Sequence, residues 1–150
     1  MLTAPWNGRD CWIVAEVSAN HEGDLGQALR LIKAAAAAGA DAVKFQCFLP
    51  EEMTLESSHP AFRLTSGLWK GKRLWQLYRE AATPWDWFPL LWEAAKDEGL
   101  VPFASVFGSQ SLAFLEHLGC AVYKIASPEA ADACFVRQVL ASGKIGRAHV

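Results

Sequence analysis

The chain has 150 residues, 52% hydrophobic and 20% charged, which is ordinary for one globular domain with a real core. Its formal net charge of −2 provides no basic excess to neutralise a nucleic-acid backbone, so we expect no nucleic-acid partner. The apolar stretches are too short for a membrane span and the first residues lack a signal-peptide layout, so we expect a cytoplasmic protein without membrane association.

Metal and disulfide chemistry have little support in the sequence. The four cysteines contain no C-x-x-C pair, and the four histidines form no ligand-spaced cluster. We therefore expect reduced, mostly buried thiols and no metal site within this chain.

The first predicted elements are a strand, a helix and a second strand. Residues 12–16 form a short apolar run that predicts the first strand. Asp24 is predicted to cap the next helix, with the Gln27 side chain returning the bond, and Gly39 to end it. Residues 42–45 then predict the second strand.

A segment of unusual length, residues 47–82, follows the second strand; we call it the excursion. Its length indicates a functional or locally structured insertion, and residues 74–82 predict a short helix within it. Thr83 as cap and Pro84 at the first position predict the start of the following helix. This helix is predicted to end at Gly99 and to bury Leu90, Leu91, Ala94 and Ala95.

The remaining residues repeat the alternation of strand and helix. The pattern predicts strands at 101–106 and 122–125, helices at 109–118 and 131–141, and a fifth strand after Lys144. The fold class is therefore α/β with about four βα units. That is the N-terminal half of a (β/α)₈ TIM barrel, truncated, or else a small open doubly wound sheet. No G-x-G-x-x-G follows the first strand to support dinucleotide binding.

The last six residues are predicted to be foreign to the domain. Residues 145–150 read Ile-Gly-Arg-Ala-His-Val, which one reading frame of a common sequencing adaptor would encode. We therefore predict a partial TIM-barrel domain over residues 1–144 and a non-native tail over residues 145–150.

Polar side chains stand at the predicted carboxyl ends of all four strands. They are Glu16, Lys44, Gln46, Ser105, Lys124 and, just beyond the last strand, Ser127. In a TIM barrel this end carries the active site, and two buried lysines with nearby hydroxyls suit a ligand with a phosphate and a carboxylate. The structural alternative is an ion pair between Lys44 and Glu16, with Lys124 extending to the rim of the sheet.

Two further groups of side chains allow a functional and a structural interpretation. Asn20 and His21, after the first strand, could hydrogen-bond a polyhydroxy substrate or simply belong to a polar loop. Five tryptophans between residues 69 and 92 could stack on sugar faces, but we expect them to pack the excursion against the barrel.

Three ordered motifs carry a resemblance to a known family. They are residues 15–24 (Ala-Glu-Val-Ser-Ala-Asn-His-Glu-Gly-Asp), residues 39–46 (Gly-Ala-Asp-Ala-Val-Lys-Phe-Gln) and residues 123–127 (Tyr-Lys-Ile-Ala-Ser). In order and spacing they resemble the sialic acid synthase family, which includes synthases of N-acetylneuraminate, legionaminate and pseudaminate. The excursion, with Met53-Thr54, Phe62-Arg63 and Gly67-Leu68-Trp69, is most similar to the pseudaminate branch.

The resemblance implies a transferase that condenses phosphoenolpyruvate (PEP) with a 2,4-diacetamido-2,4,6-trideoxy hexose, for surface glycan biosynthesis. Carried over by motif, Lys44, Lys124, Ser105 and Ser127 would bind PEP. Glu16 and Gln46 would be catalytic, and Phe107, with Asn20 and His21, would contact the sugar. The resemblance also implies a divalent cation, Mn²⁺ or Mg²⁺, whose ligands lie outside this chain, and a full-length homodimer.

The chain also departs from the family pattern, and other interpretations stay open. Members often carry a histidine where Phe88 stands here. The alternatives are an N-acetylneuraminate or legionaminate synthase, another PEP- or phosphate-using barrel aldolase, and an inactive, truncated sugar-binding fragment. We expect the isolated 150-residue chain to be inactive and poorly stable; PEP-dependent product formation by it would contradict this.

Overall fold

The strands form a single parallel sheet. The computed structural model describes residues 11–148, with side chains up to residue 144. Five strands lie in the order in which they occur along the chain, each parallel to the next. They are β1 (Val14–Glu16), β2 (Ala42–Cys47), β3 (Val101–Val106), β4 (Val122–Ile125) and β5 (Ile145–Ala148).

Within residues 11–148, six α-helices accompany the sheet. They are α1 (Leu25–Ala37), α2 (Pro50–Met53), α3 (Leu74–Ala81), α4 (Phe88–Asp97), α5 (Ser109–His117) and α6 (Ala133–Ala141). None of the helices within residues 11–148 is long and apolar enough to cross a membrane.

Strand order decides between the two predicted architectures. In a doubly wound sheet the order reverses at a switch point, whereas the strands of a barrel follow one another without reversal. The order β1 to β5 has no reversal, so the half-barrel prediction is confirmed and the doubly wound alternative is wrong. Residues 145–148 take the place of the predicted fifth strand. Their foreign origin stays a prediction, and residues 149 and 150 lie outside the described part.

The main core lies between the sheet and the helices. The outward side chains of β2, such as Phe45, are fully buried against α4, where Phe45 meets Phe88 and Trp92 with ring centroids 6.2 Å and 5.5 Å away. Phe88 is thus a core residue, and the departure from the family histidine fills an apolar site. Alternate residues of a strand point to opposite sides of the sheet, so the polar strand-end side chains lie on the face opposite this apolar layer.

Helix starts follow the prediction only in part. Asp24 caps α1 by accepting the N–H of Gly26 at 2.7 Å, as expected. The predicted return bond from Gln27 is wrong, since the N–H of Asp24 already donates to the carbonyl of His21 at 2.8 Å. The oxygen of the Gln27 side chain accepts instead from Arg30 at 3.0 Å.

The helix predicted to start at Thr83 begins later. A 3-10 turn occupies Trp85–Trp87, and α4 starts at Phe88, so Thr83 is not its cap. The Thr83 hydroxyl is instead buried and bonded to His21. The prediction that Leu90 is buried is wrong: Leu90 is 51% exposed, because the core face of α4 consists of residues at helical spacing, Phe88, Leu91, Trp92 and Ala95.

The excursion is locally structured, as predicted. It contains α2, a 3-10 turn at Pro60–Phe62 and the predicted helix α3. Three of the tryptophans pack within the protein, but they lie after the excursion and do not join it to the sheet: Trp85 stacks on Phe114 at 4.5 Å, Trp87 meets His21 edge-on, and Trp92 is buried. Trp69 is half exposed. Of the cysteines, Cys47 and Cys120 are buried, whereas Cys11 and Cys134 are exposed and free, so the thiols are less buried than predicted.

Candidate functional site

The register of the sheet places the predicted strand-end side chains on one face. Glu16 is the partner of Lys44, and Gln46 is the partner of Ser105, which in turn is the partner of Lys124. Direct partners in a parallel sheet point to the same side, and so do residues two apart on one strand. All five side chains therefore lie on the face turned away from the helices, which is the inner face of a barrel.

Lys44 is the central group of this face. Its ammonium group forms an ion pair with Glu16 and lies 3.5 Å from the hydroxyl of Ser105, with 15% of the side chain exposed. Burial lowers its pKa to about 8, and the charge of Lys124 acts in the same direction even though Glu16 lies against it. The inner face thus brings the positive charges of Lys44 and Lys124 together where Lys44 is largely shielded from solvent.

Such a site can bind an anion with more than one charge. Lys44 and Lys124 stand on different strands and repel one another, so an anion between them would relieve that repulsion. Ser105, only 1% exposed, adds a hydroxyl between the two strands. The sequence allows two interpretations of these residues, a structural ion pair and a cluster of strand-end groups. The structure contains both.

The other predicted PEP ligand lies just outside this set. Ser127 is exposed and follows the end of β4. Phe107 lines a separate cleft of about 360 Å³ between the starts of α5 and α6, together with Glu52, Asp132 and Gln138. Asn20 is exposed on the loop after β1. The structure therefore gathers Glu16, Lys44, Gln46, Ser105 and Lys124, and places the remaining predicted residues around their rim or beyond it.

His21 is held by the chain itself. It is 1% exposed, its Nδ1 accepts the N–H of Gly23 at 3.0 Å, and its Nε2 lies 3.1 Å from the Thr83 hydroxyl. With Nδ1 as acceptor, Nε2 carries the proton and donates to Thr83. Burial lowers the pKa of His21, which favours this neutral form. Both ring nitrogens are thus occupied, so its role as a sugar ligand stays a prediction without geometric support.

The loop around Asn20 is conformationally constrained. Two non-glycine residues, Ser18 and Glu22, have positive φ angles of 44° and 52°. Such conformations cost energy and persist where surrounding contacts impose them. The bonds of His21 to Gly23 and Thr83 are among these contacts, so His21 holds the loop that presents Asn20.

One acidic group escaped the sequence interpretation. Glu129 lines the cleft beside Phe107, and its Oε2 is buried without a hydrogen-bond partner among the described residues. A buried unpaired carboxylate oxygen is costly and marks a candidate functional group. Its position two residues after Ser127, beyond the carboxyl end of β4, is the sequence feature that could have indicated a functional role.

The described residues do not fit a metal centre. No group of three or more His, Cys, Asp and Glu side chains within residues 11–148 is arranged to hold a metal ion. We therefore derive no chemical step through a metal from this part of the chain.

Comparisons with known proteins agree with the fold. Residues 31–145 match the family model described as NeuB family. The chain is 44% identical over 128 residues to a pseudaminic acid synthase of Campylobacter jejuni, covering 85% of this chain and 37% of that protein. It is 45% identical to the pseudaminic acid synthase of Helicobacter pylori, over 80% of this chain and 35% of that one.

A solved structure has the same fold over this part of the chain. The N-acetylneuraminic acid synthetase of Leptospira borgpetersenii, crystallised with citrate, superposes with a TM-score of 0.78 at 30% identity. The match covers 93% of this chain and 44% of that one. The chain thus spans less than half the length of the relatives that it matches.

Proposed function

Because the chain belongs to the NeuB family, we propose that it forms the N-terminal half of the barrel of a pseudaminic acid synthase. The complete enzyme condenses PEP with a 2,4-diacetamido-2,4,6-trideoxy hexose. The observation that carries the proposal is the inner-face pair of lysines, in which the charge of Lys124 contributes to the lowered pKa of Lys44.

PEP is the substrate that suits this pair. It carries a phosphate ester and a carboxylate on the same carbon atom, so Lys44 and Lys124 can each meet one anionic group while the Ser105 hydroxyl donates a hydrogen bond. Ser127, beyond β4, extends the same set of donors. In the free protein Glu16 occupies Lys44, so an incoming anion competes with that carboxylate.

The reaction joins two carbon atoms. The enol carbon of PEP attacks the aldehyde of the open-chain sugar, water adds to the cationic carbon that results, and inorganic phosphate leaves. Glu16 and Gln46, on the same face as the lysines, hydrogen-bond the sugar hydroxyls or the added water. Holding PEP between two fixed lysines orients its reacting carbon, which is the main contribution that this half of the barrel makes.

The remaining parts of the proposal concern the complete protein. A divalent cation, Mn²⁺ or Mg²⁺, would supply Lewis-acid activation of the aldehyde and would be held by residues outside this chain. We also propose a homodimer and a cytoplasmic location for the complete enzyme.

The choice of sugar rests on overall sequence identity and on the position of the excursion. The identity to two pseudaminic acid synthases is 44–45%, against 30% to the N-acetylneuraminic acid synthetase of known structure. Loops at the carboxyl ends of the strands set the specificity of a barrel, and the excursion follows β2 at that end. The rival functions are N-acetylneuraminate and legionaminate synthesis.

Product formation by the intact protein tests the proposal. The full-length protein is incubated with PEP, a divalent cation and each of three candidate sugars, and the products are identified by mass spectrometry. We expect turnover with the pseudaminate precursor and at least about tenfold lower kcat/KM with the N-acetylneuraminate and legionaminate precursors. Preference for another sugar would replace the subfamily assignment, and no PEP consumption with any sugar would refute the synthase proposal.

A further inference from the structure

A carboxylate from the excursion caps a helix far away in sequence. Oε1 of Glu52, in α2, accepts the N–H groups of Gln110 and Ser111 at 3.0 Å and 2.9 Å, in the first turn of α5. Oε2 accepts the N–H of Leu49, just before α2, at 3.1 Å. One carboxylate therefore satisfies the starts of two helices that follow neighbouring strands.

The residue before α5 has no side chain of its own for this task. Gly108 is the N-cap, with extended backbone angles that any residue adopts. A Cβ built on it would lie 2.5 Å from Oε1 of Glu52 and 2.8 Å from its Cγ. A side chain at residue 108 would displace the Glu52 carboxylate, which fills the space that a capping side chain would otherwise occupy.

Further hydrogen bonds link the first turn of α5 to the residues that follow β3. Ser111 is fully buried, and its hydroxyl accepts the N–H of Gly108 at 3.2 Å and that of Phe107 at 3.4 Å. The same hydroxyl donates to the carbonyl of Gly108 at 3.0 Å. Holding the N–H of Ser111 therefore fixes the backbone from which the Phe107 side chain extends.

Aromatic contacts join the same two segments. Phe107 meets Phe48, which precedes α2, edge-on at 5.4 Å, and Phe48 meets Tyr78 of α3 in the same way at 6.0 Å. Phe48 is buried, whereas Phe107 remains partly exposed in the cleft. The methyl groups of a diacetamido-trideoxy sugar would find an apolar surface on this exposed ring.

We propose that Glu52 is a positioning residue for sugar recognition, which ties the excursion to the start of α5 and thereby fixes Phe107 at the mouth of the barrel. This inference rests on the proposed function, because it assigns the sugar rather than PEP to this part of the site. It also implies that the start of α5, already filled by a carboxylate, does not bind the phosphate of PEP.

Variants of the full-length protein test this role, after the unmodified protein has been assayed with PEP and the pseudaminate precursor. We expect Glu52→Ala to raise the KM for the sugar roughly tenfold, with changes below about twofold in kcat and in the KM for PEP. Glu51→Ala is the matched control, since Glu51 is an exposed neighbour in the same short helix. Gly108→Ala should reproduce the Glu52→Ala effect, because its Cβ displaces the carboxylate.

A double variant separates positioning from simple capping. In Glu52→Ala/Gly108→Ser the serine hydroxyl can cap α5, so we expect the Tm to return towards that of the unmodified protein while the KM for the sugar stays high. This variant also serves if Glu52→Ala alone fails to fold. Recovery of both Tm and KM would show that Glu52 only caps a helix and would overturn the inference, as would an unchanged KM or a loss confined to kcat.

The two proposals fail in different ways. An unmodified protein that does not consume PEP refutes the proposed function. An active unmodified protein whose KM for the sugar is insensitive to Glu52→Ala refutes the positioning role alone.

Discussion

The carboxylate of Glu16 lies against the ammonium group of Lys44, and the two residues are direct partners in the register of β1 and β2. In the free protein, Glu16 neutralises the charge of Lys44 on the inner face. This pairing means that a bound anion must share or displace Glu16. For the proposed PEP site we therefore expect the protonation of Lys44 to control anion binding, and the lowered pKa of Lys44 brings that control close to neutral pH.

The affinity for PEP should depend on pH through Lys44. Its pKa of about 8 means that Lys44 is mostly charged at neutral pH and loses its proton as the pH rises through that value. We expect the Kd for PEP, measured by isothermal titration calorimetry on the intact protein, to rise about tenfold per pH unit above 8. In Lys44→Met this step should disappear, and a pH-independent Kd in the unmodified protein would contradict the assignment.

Removing the partner carboxylate should move this step. An opposite charge favours the ammonium form, so Glu16→Gln lowers the pKa of Lys44 further. We expect the fall in PEP affinity to begin at a lower pH in this variant than in the unmodified protein. Glu22→Gln, an exposed carboxylate on the loop after β1, is the control. An identical pH profile for Glu16→Gln would show that the ion pair has no influence in solution.

The bond between His21 and Thr83 should contribute to stability. Thr83→Val removes the hydroxyl but keeps the shape, so we expect a loss of about 1 kcal/mol in the free energy of unfolding, seen as a lower Tm. In a double-mutant cycle, His21→Ala and Thr83→Val should be less than additive, because they break the same bond. Full additivity, with an effect of His21→Ala confined to the KM for the sugar, would support the sugar-binding role instead.

Acid should weaken the fold through the same histidine. The pKa of His21 in the folded chain is below the usual 6.5, so the unfolded chain binds its proton first as the pH falls. The contribution of the neutral ring is therefore complete above pH 6.5 and is lost as the pH falls from there through the lowered pKa. Thermal unfolding between about pH 7 and about pH 5 should show a steeper loss of Tm in the unmodified protein than in His21→Gln.

A polar cluster behind β4 should be structural only. The hydroxyl of Tyr123 donates to Glu116 and accepts from Lys144 at 3.1 Å, on the face opposite Lys124. Tyr123→Phe should lower the free energy of unfolding by about 1 kcal/mol and leave the KM for PEP unchanged. Tyr78→Phe, which keeps its ring contact with Phe48, is the control. A raised KM for PEP in Tyr123→Phe would contradict the structural role.

Much of this arrangement was predictable because it depends on local sequence patterns. The strand ends at Glu16 and Val106 follow from apolar periodicity, whereas β2 runs to Cys47, beyond its predicted end at Phe45. Parallel pairing then gathers the polar residues without further information. The cap of α1 by Asp24 is likewise local.

The errors arise where distant contacts override local ones. Thr83 has the local pattern of a helix cap, but the buried ring of His21 competes for its hydroxyl. Glu52 lies 58 and 59 residues away from the N–H groups that it accepts, so no spacing rule could assign it. Glu129 required knowledge of burial, which the sequence alone does not provide.

Binding and turnover of PEP by lysine variants test the central claim most directly. In the full-length protein we expect Lys44→Ala and Lys124→Ala each to weaken PEP binding by at least about tenfold and to abolish most sugar-dependent release of phosphate. Lys33→Ala, an exposed lysine on α1, should leave both unchanged. Normal PEP affinity and turnover in Lys44→Ala and Lys124→Ala would contradict the assignment of the inner face of this sheet as the PEP site.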